Sequence, residues 1–259
     1  MATVHVTTAD QFLTAVTVEG DTIIIDNDLD FNGITVNATI YCNEIDGGGH
    51  NLYNIQSTTT DSPIFFVRAC NMHNVAFVNV LQTQTAGFLN CLGDGATVDR
   101  CTFSGYFGRV AGGNITLSKC GINASRFLGN VVAANSTYVP KLYDCYIHAD
   151  RYSGTIAGSA ANRVEMQNCY FSGLVANPNN NAVMFNTRNM QNCVFNVDIT
   201  ASESRTITLV DAVNAIGVSL CNSDKISSNI TCTYGVTPLT DAQLKTPADV
   251  RATGFPLIG

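Results

Sequence analysis

Short apolar runs alternate with Gly-, Asn- and Ser-rich interruptions along most of the chain, and one six-residue pattern keeps returning inside that alternation. Written as apolar, two polar, Cys, any, apolar, it occupies residues 98–103, 117–122, 142–147, 166–171 and 190–195. Met72-His73-Asn74-Val75-Ala76-Phe77 is a degenerate earlier copy. The central residues, Val75, Cys101, Cys120, Cys145, Cys169 and Cys193, follow one another at intervals of 26, 19, 25, 24 and 24 residues. A period of this length marks a stacked-repeat architecture, in which each unit buries its apolar face against its neighbours.

Side chains alternate along a strand with period 2, so the central Cys and the apolar residue two later share one face and point inward. The apolar residue three before the Cys has the wrong parity for the same straight strand. The backbone must therefore turn at the two polar residues between them. The second of these is Asn74, Asp144, Asn168 or Asn192 in four of six copies, residue types that tolerate the left-handed conformation. Arg100 and Lys119 depart from this rule, so a corner of different geometry is expected there, and the 19-residue interval predicts a shortened coil. Stacking predicts one internal ladder of Phe77, Phe103, Ile122, Ile147, Phe171 and Phe195 and another of the five cysteines, with rungs ~4.8 Å apart. That spacing permits disulfides, but thiols pointing the same way lack the mutual orientation a bridge needs, so they are expected to stay reduced. Further strands are predicted at residues 64–67, 87–89, 131–133, 155–157 and 183–185.

The ends read differently. Thr8-Ala9-Asp10-Gln11 has the form of a capping box, and Phe12, Leu13, Ala15 and Val16 follow at helical spacing, predicting a short helix over the first coil. Residues 22–25 read as a buried strand. After Ile216 the pattern loosens to the weaker echoes Leu220-Cys221-Asn222 and Ile230-Thr231-Cys232. Thr240-Asp241-Ala242-Gln243 is a second capping box, predicting a helix through Lys245 that Pro247 ends. The apolar tail 254–259 is expected to fold back over the last coil or dock on a partner. The chain thus divides into a cap and first coil (1–45), a solenoid (46–232) and a C-terminal capping helix and tail (233–259).

The phrase Ile45-Asp46-Gly47-Gly48-Gly49-His50-Asn51-Leu52, after a capping helix and two strands, resembles the opening of right-handed parallel β-helix proteins of the pectin-lyase-like superfamily. The resemblance implies an all-β fold, a single-stranded right-handed parallel β-helix of roughly 8–9 coils with short capping helices at both ends. Its glycines suit a tight corner between stacked strands. A phosphate cradle would need a following Lys-Ser/Thr pair and a helix, and neither is there. The run Leu239-Thr240-Asp241-Ala242-Gln243-Leu244-Lys245, followed by Gly254-Phe255-Pro256, resembles the endings of phage-encoded β-helix proteins. That implies a virion location, with other capsid or tail proteins as partners, and many such appendages assemble as trimers.

Composition narrows the function classes. Of 259 residues 46% are hydrophobic and only 13% charged, enough for a substantial core. A net charge of -7 and a pI near 4.9 argue against nucleic acid or an anionic membrane as partner. Met1-Ala2-Thr3-Val4-His5-Val6 carries no basic segment followed by an apolar run, so synthesis and folding in a host cytoplasm are expected. No apolar stretch approaches the ~20 residues of a membrane-spanning helix. The ten cysteines read as small buried hydrophobes, five of them at one repeat position.

Candidate chemistry is sparse. Asp26, Asp28 and Asp30 invite a calcium reading, but the Gly and distal Glu of a calcium loop are missing, which favours a solvated strand edge. Counting five residues past each Cys gives Tyr106, Ser125, Asp150, Leu174 and Asp198. Asp150 and Asp198 then lie two rungs apart, ~9–10 Å, against the ~6.5–9.5 Å between the carboxyls of inverting glycosidases. His148 could add an acid or base, while Leu174 intervenes between the two acids. Pectate-lyase relatives use clustered acids for calcium and a basic residue to abstract a proton; here Arg100, Lys119, Arg126 and Arg151 fall at different repeat positions. Arg163 and Glu165 read as a solvated edge, and His5, His50 and His73 lack partners at metal-ligand spacing. With no Trp and nine Tyr, platforms for sugar rings are few. The expectation is a non-enzymatic structural protein of a phage particle, a capsid decoration or short appendage, with no cofactor and no metal. The alternative is a tailspike-type polysaccharide lyase or hydrolase, or a protein that recognises a host-surface glycan, with Asp150, Asp198 and His148 as its group.

Overall fold

The computed structural model describes residues 2–57 and 62–255. It is an all-β parallel solenoid of about nine turns, 8% helical, with its helices near the termini. Strands adjacent along the chain mostly go to different sheets, and every strand pairs with its counterpart one coil away. One sheet runs from Thr3–Val6 to Ile230–Thr233, the other from Leu29–Asp30 to Thr237–Leu239. All of their pairings are parallel.

The predicted apolar ladder forms in register and is longer than the repeat implied. Leu29, Leu52, Phe77, Phe103, Ile122, Ile147, Phe171, Phe195 and Cys221 stack in one inward column. Cys221 therefore continues the phenylalanine column, not the thiol column. Phe77 stacks on Phe103 with ring centroids 5.1 Å apart, and Phe171 on Phe195 at 5.7 Å. The residues three before each Cys form a second inward column, from Val4, Ile23 and Ile45 through Met72, Val98, Leu117, Leu142, Met166 and Met190 to Ala215.

Between these columns the chain turns where expected. Asn74, Arg100, Lys119, Asp144, Asn168 and Asn192 all have φ between 50° and 56°. Arg100 and Lys119 thus make the same left-handed corner as the Asn and Asp copies, contrary to the different geometry their chemistry suggested. The corner is imposed by two strands that must present opposite parity to one core, and that demand outweighs a local cost of ~1–2 kcal/mol. Coils are tied along the corner by side chains: Asn168 donates Nδ2–H to Asp144 Oδ1 at 2.8 Å, and Arg100 donates Nε–H to Asn74 Oδ1 at 3.1 Å. The short coil is also found, since a single residue, Gly108, separates Thr102–Phe107 from Arg109–Ser118. The Gly-rich phrase after Ile45 forms a corner in which Gly48 and Gly49 have φ of 57° and 85°.

Cysteines 101, 120, 145, 169 and 193 are buried and unbridged. Each thiol bonds to the carbonyl two residues before it, for example Cys120 to Ser118 O at 3.3 Å and Cys169 to Gln167 O at 3.2 Å. Cys101, Cys120, Cys145 and Cys169 also reach a carbonyl of the preceding coil, as Cys120 does Val98 O at 3.3 Å, so the sulfurs are turned toward backbone. Burial pushes the Cys101 thiol up to about 12. Little of the ten-thiol complement should therefore react with a disulfide reagent in the native protein, with Cys232, the least buried, reacting first. All ten should react promptly in denaturant. Several fast native thiols would contradict this packing.

At the N-terminal end the helix Ala9–Ala15 lowers Phe12 onto the first coils, edge-on to Phe31 at 6.0 Å and to Phe65 at 6.3 Å. Thr8 accepts from Gln11 N–H, but Gln11 reaches back to the Thr7 N–H, one residue earlier than a capping box would have it. The C-terminal box forms in full at Thr240 and Gln243. The helix Asp241–Leu244 stops at its C-cap Lys245, before Pro247, as expected, but Pro247 does more than stop it. It opens a second helix, Pro247–Ala252, where its missing N–H costs nothing. Leu244, Val250 and Phe255 pack on Leu220 and Leu239 in an apolar cluster separate from the main core. Leu220 pairs with Val194, on the outward face of its sheet, so the helices lie along the side of the solenoid. Residues 256–259 of the tail lie outside the described residues.

Candidate functional site

The residues singled out from sequence lie on the outer face of the second sheet, on Tyr146–Tyr152, Tyr170–Ala176 and Val194–Thr200. Ile147, Phe171 and Phe195 point into the core, so their neighbours on either side point out. Three outward rows result. Tyr146, Tyr170 and Val194 form the first, and His148, Ser172 and Asn196 the second. In the third, Leu174 pairs with Asp198, whereas Asp150 sits in an irregularity between Ala149 and Tyr152 that shifts the register. Counting five past the Cys thus holds for two coils, and the bulge displaces Asp150 from the third.

The two aspartates are not brought together. Asp198 accepts from Lys225 Nζ at 2.9 and 3.0 Å, and Leu174 occupies the rung next to it. Asp150 is 75% exposed and contacts His148 Nε2 at 3.4 Å. His148 Nδ1 is 2.9 Å from Ser172 Oγ. Ser172, His148 and Asp150 therefore form a chain with the composition of a nucleophilic triad, but its exposure gradient runs the wrong way. A triad presents its serine to substrate and shelters its acid. Here Ser172 is 9% exposed while Asp150 stands in solvent. The serine is also on Nδ1 and the acid on Nε2. The chain behaves as a polar tie between coils.

The structure adds a feature that the repeat carried unnoticed, because Tyr146 and Tyr170 occupy the same position, one past the Cys, 24 residues apart. Their rings stack at 5.2 Å and 4°, and Tyr146 is 53% exposed. Asn196 donates Nδ2–H to the Tyr170 hydroxyl at 2.7 Å. Beside them, between the sheet and the C-terminal helices, a groove of about 370 Å³ is lined by Tyr170, Val194, Asn196, Leu244, Val250 and Phe255. Lys225 was missed because it falls after Ile216, where the repeat gives no register.

The remaining candidates resolve into ties between coils. His5 lies 3.0 Å from Asp26, His50 3.3 Å from Asp28, and His73 3.1 Å from Glu44. Asp28 also accepts from the Asn51 backbone and side-chain N–H groups, which hold its carboxyl below the usual range. Asp30 accepts from Asn54. The three acids bind successive coils together and do not converge, and among the described residues no three metal-ligating side chains do. Arg163 and Glu165 are not a solvated edge: Arg163 donates to the Asp211 carboxylate at 2.6 Å and to the Thr187 and Asp211 carbonyls, and Glu165 accepts from Asn189 at 2.8 Å. Among the basic residues, Arg126 lies over the Tyr106 ring at 6.0 Å and Arg100 pairs with Asp99 at 3.0 Å.

No protein-family model matches the chain, and no curated protein sequence matches it. Among solved structures, a crystal structure described as a "putative immunoglobulin A1 protease" from Bacteroides ovatus aligns over 96% of this chain and 87% of its own, at 15% identity and a TM-score of 0.47.

Proposed function

We propose that this chain is a non-enzymatic structural protein displayed on the surface of a phage particle, as a capsid decoration or short appendage. The observation that carries the non-enzymatic half is the outer face itself, where Lys225 pairs with Asp198 and Leu174 separates it from Asp150, so the two acids do not flank one bond. The particle assignment is supported by the phage-like ending at residues 239–245 and 254–256 and by the sparse charge. Mass-spectrometric inventory of purified particles should find the chain in fixed stoichiometry with the capsid or tail proteins; particles without it would end the assignment. If host polysaccharide is depolymerised by the wild type and not by the Asp150→Asn, Asp198→Asn double variant, the protein is a tailspike-type enzyme instead.

A second reading, recognition of a host-surface glycan, is favoured by the stacked Tyr146–Tyr170 pair with Asn196 and His148 beside it. An exposed aromatic face supports the apolar face of a sugar ring, while amide and imidazole groups bond its hydroxyls. Tyr146→Ala should weaken capture of a host polysaccharide by at least ~10-fold with the far-UV circular dichroism unchanged. Equal retention by wild type and variant would remove this reading.

A further inference from the structure

Among the described residues, the two ends of the solenoid are closed over only part of their cross-section, and both openings fall on the same sheet. At the C-terminal end, the strand Arg205–Ile216 pairs on one side with Ala182–Gln191 along most of its length. On its other side, among the described residues, Arg205–Thr208 pair with Ile230–Thr233 and the Val210 N–H bonds to the Tyr234 carbonyl at 3.1 Å, and no pairing follows beyond that point. The final coil then cuts across through Gly235 to Thr237–Leu239, and among the described residues no strand lies beneath residues 211–216. Val213 is 62% and Ile216 57% exposed, and Ala215, the last member of the inward column that begins at Val4, is exposed as well. A hollow of about 380 Å³ lies beside this edge, lined in part by Met190, Ala215, Val218 and Val236.

At the N-terminal end Phe12 covers the part of the coil near Phe31 and Phe65. The strand Thr3–Val6 begins the same sheet that residues 211–216 leave open, and among the described residues it pairs on one side only. A hollow of about 570 Å³ separates it from the helix Ala9–Ala15 and includes Val4, Val6, Ala15 and Val18, the last 47% exposed. The inward column of ten residues thus ends in half-buried Val4 at one pole and exposed Ala215 at the other. Neither edge carries the lysine or proline that usually blunts an open strand.

We infer that the open edge at residues 211–216 receives the N-terminal strand Thr3–Val6 of a second copy of this chain, so that solenoids stack head to tail. Stacking places Val4 of one copy after Ala215 of the next and extends the column of Val, Ile, Leu and Met residues without a break. The strand would enter at the ordinary ~4.8 Å spacing, satisfying edge N–H and C=O groups on both copies. The projecting edge fits the hollow between strand and helix, where Val18 meets the exposed Val213 and Ile216. Such a contact joins two different surfaces and forms a row, not a closed pair.

Sedimentation of the full chain across a wide concentration range tests this, with Val18→Glu and Ile216→Glu as variants, both at exposed positions and checked by circular dichroism. Wild type should grow in mass with concentration. Each variant should assemble more than ~10-fold more weakly, because a carboxylate would be buried at the contact. An equimolar mixture of the two variants should form dimers and stop, since the intact C-terminal edge of Val18→Glu meets the intact N-terminal end of Ile216→Glu. A monomeric wild type, self-association by either variant alone at wild-type strength, or a mixture that stays monomeric would each overturn the inference.

Discussion

Phe103→Ala is expected to destabilise the protein by about 3–5 kcal/mol, the range for deleting a buried aromatic ring whose cavity cannot collapse. Phe103 is 1% exposed and lies in the middle of the phenylalanine column, stacked on Phe77 at 5.1 Å and edge-on to Phe88 at 6.0 Å. Phe103 itself is held in register by parallel pairing to Phe77 on one side and Ile122 on the other, so neither coil can close the gap by sliding. In a solenoid each coil is stabilised mainly by its neighbours, so a weakened central interface also lets the two halves unfold at different denaturant concentrations. Urea unfolding followed by far-UV circular dichroism is the measurement, the chain having no Trp to report by fluorescence. Val213→Ala, at a 62% exposed position, should move the midpoint little. Equal midpoints for the two variants would show that the column is not the core of the fold.

Gly173→Ala should be more damaging than its single added methyl suggests. Gly173 has φ of 122° and pairs with Ala149 on the neighbouring coil, and a Cβ there would lie 1.9 Å from the Ala149 carbonyl oxygen. The obstruction is backbone, so no side-chain rotation relieves it and the two coils must separate. A loss beyond about 4 kcal/mol, or failure to accumulate folded protein, is expected, well outside the usual range for a point substitution. Gly33→Ala is the matched control, because Gly33 has φ of 78° but nothing within 4 Å of the added carbon. It should show only the left-handed backbone cost of ~1–2 kcal/mol. The difference between the variants reports the close approach of coils together with the larger φ at Gly173. Similar losses would mean that dihedral strain alone sets the effect.

Among the candidate site residues, His148 reaches Asp150, but Asp198 belongs with Lys225. The first contact is two residues long and follows from strand alternation. The second spans 27 residues, into a stretch where the repeat has lapsed, and no local pattern announces it. Tyr146 and Tyr170 were within reach of the repeat, since they share one position in it. They draw no notice in the sequence because that position elsewhere holds Ala, Thr, Gly and Val.

The sequence by itself determined the coil: its period, its left-handed corner at Asn74, Asp144, Asn168 and Asn192, the inward columns on either side, and the shortened turn before Cys120. These are local properties, set by side-chain parity along a strand and by which residues tolerate positive φ. Tertiary structure decided that Arg100 and Lys119 take the same corner, because the stack imposes its geometry on whatever residue arrives there. It also decided that a bulge moves Asp150 out of its row, that Arg163 reaches Asp211 48 residues away, that the C-terminal helices lie along the side wall, and that residues 211–216 have no strand beneath them among the described residues. Each of these depends on how one coil sits on another. A bulge or a cut corner changes that register without leaving a trace in the pattern of apolar and polar positions.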